Sequence, residues 1–173
     1  MDLDVAQTFI GYNEAVNCVA GSQDGRQLAG GSEKTVRVWD VNTNECQTLA
    51  GHTGRVNNIG WSPDGKYLVS GAGDMTVRIW AINSSKHSSK VLKGHTASVR
   101  CVTFSPNGKY IASGSADKTI CVWDPNTGSI VSGPFEESEG VLSLTFSRDS
   151  RFIFSVYSNG AARAWKVCGP EMH

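Results

Sequence analysis

Charge of one sign is what the chain most plainly lacks: its 173 residues carry 16 Lys and Arg against 16 Asp and Glu, a formal net charge of +0. A protein that condenses on phosphate through its overall field needs a basic excess, so nucleic acid is not an expected partner. Long apolar runs are missing too, which removes bilayer-crossing helices. The first residues, Met1-Asp-Leu-Asp-Val5, have neither a basic start nor an apolar stretch. No secretory leader and no membrane partner are therefore expected, and the expected compartment is the cytoplasm, with the nucleus as alternative. The sequon Asn83-Ser84-Ser85 would be idle there.

Cysteine is sparse and odd in number. Cys18, Cys46, Cys101, Cys121 and Cys168 include no Cys-x-x-Cys pair, so neither a zinc site nor a disulfide framework follows. Cys18 and Cys101 hold the same position in two similar stretches and read as small buried thiols. There is no phosphate loop, no pair of histidines at helical spacing and no nucleophile elbow. No cofactor is expected.

What is present is turn chemistry, with 19 glycines. The stretch from Leu92 to Asp124 sets the pattern: Leu-Lys-Gly-His95, then Val99 to Phe104, a run from Ile111 to Asp117, and Thr119 to Asp124. Runs that alternate β-branched or aromatic residues with small or polar ones, closed by turn signals, predict consecutive antiparallel strands. Ser105-Pro106-Asn107-Gly108 and Ser115-Ala116-Asp117-Lys118 are the expected hairpin turns, with Gly108 in the left-handed position.

The unit recurs. Trp39, Trp80, Trp123 and Trp165 are spaced by 41, 43 and 42 residues, and Val16, Val56, Val99 and Val141 keep step with them. The repeated Gly-His, Ser-Pro-Asp-Gly and Trp-Asp punctuation resembles the WD-repeat family of β-propellers. That resemblance implies an all-β propeller with four blades of four antiparallel strands, in units 5–40, 45–81, 90–124 and 129–166. Gln7-Thr8-Phe9-Ile10-Gly11 aligns with Gln47 to Gly51, so the chain opens on an outer strand, expected to act as the outer strand of the last blade.

Units one and four depart from the pattern, as terminal repeats often do. In unit one, Tyr12 stands for histidine, Glu33 for aspartate, and Gly21 for the aromatic seen as Trp61, Phe104 and Phe146, which predicts looser packing. Ala81 replaces the aspartate of the Trp-Asp pair in unit two. The serine-rich run from Asn83 to Lys90, with His87 solvated in it, is expected to be a loop. In unit four, Glu137 takes the histidine position, Asn159 and Lys166 take the two aspartate positions, and the turn reads Arg148-Asp149-Ser150.

One constellation invites a catalytic reading. His52, Ser70 and Asp74 recur as His95, Ser113 and Asp117 at identical spacing, and Ser, His and Asp are the members of the acyl-transfer triad. A triad is needed once, beside an oxyanion hole; a brace is needed in every blade that must hold the same geometry. The family resemblance implies the brace, completed by Trp80 and Trp123, and no catalytic residue. In unit four Ser155 and Trp165 remain without the histidine.

The resemblance further implies a rigid platform that binds other proteins or peptides through loops on one face. The side chains it points to are Arg55, Asn57 and Gly73 in unit two and Ser98, Arg100 and Ala116 in unit three, with the two arginines as anchors. An alternative function is a ligand-sensing segment of a larger nucleotide-hydrolysing signalling protein, because Ser132-Gly-Pro-Phe-Glu136 resembles a connector of long fungal WD-repeat arrays. Four units make about half of a typical ring in this family. An eight-blade homodimer keeps the inter-blade angle near the family's usual value and is the expected assembly. A strained four-blade ring and a piece of a longer propeller are the alternatives.

Overall fold

A computed structural model describes residues 7–11, 13–82 and 89–167. The readings made on Met1 to Val5, Tyr12, the sequon at Asn83, His87 and Cys168 lie outside these residues. Among these residues fifteen strands form four antiparallel sheets in sequence order. Blade one comprises β1 (Cys18–Gly21), β2 (Gln27–Gly31), β3 (Thr35–Asp40) and β4 (Cys46–Ala50). Blade two comprises β5 (Val56–Trp61), β6 (Tyr67–Ala72), β7 (Val77–Ala81) and β8 (Ser89–Leu92). Blade three comprises β9 (Val99–Phe104), β10 (Ile111–Ser115), β11 (Thr119–Trp123) and β12 (Ile130–Glu136). Blade four has three strands among the described residues, β13 (Val141–Phe146), β14 (Phe152–Tyr157) and β15 (Ala162–Lys166).

Two expectations need correction. The serine-rich loop does not extend through Lys90, because Ser89 and Lys90 already pair with Trp80 and Ile79 as part of β8. Residues 7–11 carry no strand. In the sequence alignment they correspond to β4, which pairs with the edge of β3; among the described residues no strand pairs with 7–11. The segment still packs where its homologue would, with the Phe9 ring 6.1 Å from that of Trp39. Leu49 and Trp80 share a core cluster in the same way.

The hairpin turns form as the sequence predicts. Gly108 N–H donates to Ser105 O at 2.8 Å, and Gly108 adopts φ 71°. In the second turn Lys118 takes φ 71° and its counterpart Met75 φ 65°. For non-glycine residues that conformation costs on the order of 1 kcal/mol.

The core lies between blades rather than within them. Three clusters fill the joints: Ala29, Val36 and Leu49 meet Val56 and Leu68; Val69 and Ile79 meet Val99 and Ile111; Ala112 and Ile120 meet Val141 and Ile153. Each joint is keyed. A Cβ placed on Gly31, Gly71 or Gly114 would fall 2.7, 2.6 and 2.5 Å from a Cγ1 of Val56, Val99 and Val141 respectively. The first valine of blades two, three and four thus seats in a notch that only glycine leaves open. No described cluster joins blade four back to blade one, and Val16, Val19, Leu142, Phe154 and Val156 are exposed. In the register of β14, Val156 follows the brace serine as Gly71 follows Ser70 and Gly114 follows Ser113, so on blade four the notch is filled.

Candidate functional site

The predicted braces are assembled in blades two and three. Asp74 sits in the β6–β7 turn, beside the loop that leads into β5; Gly73 N–H donates to Arg55 O at 2.8 Å. His52 Nδ1 lies 2.8 Å from Asp74 Oδ2, and its Nε2 lies 2.7 Å from Ser70 Oγ. Trp80 Nε1–H donates to the same Ser70 Oγ at 2.8 Å. Blade three repeats this with His95 to Asp117 at 2.9 Å, His95 to Ser113 at 2.7 Å and Trp123 to Ser113 at 2.8 Å.

Protonation follows from the donors available. The Ser70 oxygen accepts from Trp80, so its own proton goes to His52 Nε2, leaving Nδ1–H to donate to the carboxylate. Burial lowers the pKa of both histidines despite their aspartate partners, so they are neutral donors and acceptors rather than cations. Burial alone would raise Asp74, but hydrogen bonds from Thr76, Thr53 N–H and His52 outweigh it and hold the carboxyl at about 2. Asp117 is lowered in the same manner by Thr119, Thr96 N–H and His95 against its burial. The Thr76 and Thr119 bonds to these carboxylates also tie down the left-handed residues Met75 and Lys118 between them.

The chemical capacity of this arrangement is low. Ser70 and Ser113 are both 0% exposed, and each hydroxyl is fully engaged by an indole and an imidazole. An attacking serine needs room for a carbonyl carbon about 3 Å away and donors for the oxyanion. Among the described residues no three His, Cys, Asp or Glu converge on a metal-sized space. Burial pushes the Cys18 and Cys121 thiols up to about 11 and Cys101 to about 12, which makes them poor nucleophiles.

Blade four carries a partial brace, one member of which, Tyr157, the sequence did not reveal. Trp165 Nε1–H lies 2.9 Å from Ser155 Oγ and 3.1 Å from the Tyr157 hydroxyl, and these two hydroxyls are 2.7 Å apart. The Tyr157 phenol thus takes the serine's second hydrogen bond from two residues along the same strand, without tying in the preceding loop as the histidines do. Glu137, at the histidine position, instead pairs with Arg163 at 3.0 Å. In blade one the serine's register position is Gly30, opposite Arg37 as Ser70 is opposite Arg78.

The six residues expected to meet a partner lie on the face that carries the braces, and they differ in use. Arg55 and Arg100 are exposed. The Arg55 guanidinium donates to Asn17 Oδ1 of blade one, and Arg100 lies against Gly140 of blade four. Asn57 donates to Ser98 Oγ at 3.0 Å and to Val99 O at 2.7 Å, so it laces blades two and three. Asn58 adds a bond from Val102 N–H at 3.0 Å, a role the sequence did not indicate. Gly73 and Ala116 occupy the turn tips, their N–H groups bound to Arg55 O and Ser98 O.

A family model described as "WD domain, G-beta repeat" matches residues 4–40, 43–81, 86–124 and 129–166. The chain belongs to the WD40 repeat family. The paired braces and the keyed blade joints are therefore WD40 repeat architecture in this chain. It is 30% identical to the MST50-interacting protein 11 of Pyricularia oryzae over 169 residues, covering 91% of this chain and 53% of that protein. It is 36% identical to the nuclear distribution protein PAC1 of Arthroderma otae over 95 residues, 49% of this chain and 21% of the relative. Similarity to the small ribosomal subunit protein RACK1 of Neurospora crassa is 38% over 81 residues, 44% of this chain and 26% of the relative. The chain thus spans about half or less of the length of these WD40 relatives.

Proposed function

We propose that this chain is a protein-binding platform with no chemistry of its own, and that it holds its partner on the face of Arg55 and Arg100. One observation carries this reading: in two successive blades an identical buried network fixes the loop in front of an exposed arginine. Two guanidinium groups on a rigid rim match carboxylate or phosphate groups at little ordering cost. The name of the Pyricularia relative speaks of an interaction and that of the Neurospora relative of a ribosomal subunit, which accords with a binding role. The test is differential capture from a cell extract, using the wild-type chain and an Arg55→Ala/Arg100→Ala variant with an unchanged melt. Proteins held by the wild type and lost from the variant support the reading; identical sets contradict it.

The finer proposal is the assembly, two copies closing an eight-blade ring with residues 7–11 of one copy completing blade four of the other. Exposed Val16 and Val19 at one end and Leu142 and Phe154 at the other favour such a joint. Val156 opposes it, because a partner's Val16 would meet a side chain where Val56, Val99 and Val141 each meet glycine. The wild-type dimer should accordingly be weak and Val156→Gly should tighten it at least tenfold in sedimentation equilibrium. Monomers in both proteins would leave a strained four-blade ring or a piece of a longer propeller as the context of these blades.

A further inference from the structure

The face opposite the braces holds a feature that the platform reading does not use. Blades two and three diverge there around a cleft of about 640 Å³, within the range of small-ligand and peptide sites. Its floor is apolar, from Ile79 and Phe104, and its walls are Pro63, Pro106, Pro125 and the 44% exposed ring of Tyr67. The matching space between blades one and two, at Asp24 and Pro63, is about 260 Å³. Between blades three and four the turns are drawn together by a bond from Asn107 N–H to Ser150 Oγ at 3.2 Å. The cleft at the middle joint is thus of peptide size, and the space between blades one and two is less than half as large.

The groove's charge indicates what would fill it. Asp64, its single acidic lining residue, accepts from Ser62 Oγ at 2.6 Å and Lys66 N–H at 3.1 Å, and the Lys66 ammonium stands 3.6 Å away. That negative charge is thus answered within its own turn. Two ammonium groups, Lys90 and Lys109, also line the groove. Lys90 is fixed in place, donating to Pro125 O at 3.1 Å and to Asn126 O. Asn107 and Asn126 add side-chain amides that can hydrogen-bond an extended backbone.

We propose that this groove binds a short peptide segment of another protein in which an aromatic or branched aliphatic side chain is flanked by a carboxylate. The apolar side chain would lie against Tyr67 and the prolines, whose fixed φ keeps the walls preformed. The carboxylate would face Lys90 and Lys109. Exposed ion pairs contribute little affinity but steer encounter and select sign, so the apolar anchor carries binding and the lysines carry preference. This site is separate from the arginine face and does not depend on it.

The test uses a phage-displayed random dodecapeptide library panned on the intact chain, with the affinity of synthesised winners read by fluorescence anisotropy. The proposal expects a consensus with an aromatic or aliphatic residue within two positions of Asp or Glu. It expects at least tenfold weaker binding to Tyr67→Ala, binding weakened about two- to fivefold by Lys109→Glu, and unchanged binding to Arg55→Ala/Arg100→Ala. Lys109→Glu, on an exposed turn, keeps the test valid if Tyr67→Ala disturbs β6. No enrichment over background, a basic consensus, or peptides that bind Lys109→Glu as tightly as the wild type would each overturn the proposal.

Discussion

Replacing His95 with alanine removes one corner of the blade-three brace and leaves the rest standing. Asp117 loses the imidazole but keeps the N–H groups of Thr96 at 2.8 Å and Thr119 at 2.9 Å and the Thr119 hydroxyl at 2.6 Å. Ser113 is the damaged group: it still accepts from Trp123, but its proton loses its acceptor inside a site that is 0% exposed. An unsatisfied buried hydroxyl costs about 1–3 kcal/mol, and the space of the lost ring, which stands edge-on to Trp123 at 6.0 Å, adds a cavity term. Together these give roughly 2–4 kcal/mol, or a fall in Tm of about 6–12 °C at 3 kcal/mol for a domain of this size. Urea and thermal melts by circular dichroism read this directly. His52→Ala should match it within about 1 kcal/mol, because the paired distances in the two braces agree within 0.1 Å. Arg100→Ala, an exposed change, should shift stability by less than about 0.5 kcal/mol. A His95→Ala melt indistinguishable from that of Arg100→Ala would refute the assignment of the brace.

Acid should destabilise the fold in two stages. Burial holds the folded histidines below their ordinary pKa of 6.5, so the unfolded chain binds their protons first and stability falls as pH drops below about 6.5. Asp74, at about 2 against 3.8 when unperturbed, gives stability that is present above about 4 and lost as pH falls toward 2. In a His52→Ala/His95→Ala variant the first stage should vanish from a pH series of urea midpoints. Gly114→Ala should cost about 1–3 kcal/mol by overpacking, since its Cβ would lie 2.5 Å from Val141 Cγ1 and 2.8 Å from Cys101 Sγ; an unchanged urea midpoint would mean that the joints are not keyed. Tyr157→Phe should cost on the order of 1 kcal/mol through loss of its bonds to Ser155 and Trp165, read in the same melts.

How far the sequence reached depended on what repeats. The strands of blades two and three and both braces were legible because the same residues return at the same spacing, and a buried network tolerates few alternatives. Tyr157 was not legible, since a phenol two residues beyond Ser155 replaces an imidazole from another loop. Its signal was present in the alternation of β14, which puts Tyr157 on the same face as Ser155. The bonds of the Asn57 amide to Ser98 and Val99 were not legible either, because contacts across a joint depend on the neighbouring blade and leave no mark within one repeat. The change from Ser-Gly to Ser-Val at Val156 is visible in the sequence, but its meaning appears only once Val99 and Val141 are seen seated on Gly71 and Gly114.

That the Ser-His-Asp clusters brace the loop and hairpin of their own blade rather than react is tested most directly by exposing the folded chain to a fluorophosphonate and measuring its intact mass. The buried geometry predicts an unmodified chain after hours at neutral pH, with both serines silent. A stoichiometric adduct mapped to Ser70 or Ser113 would contradict it.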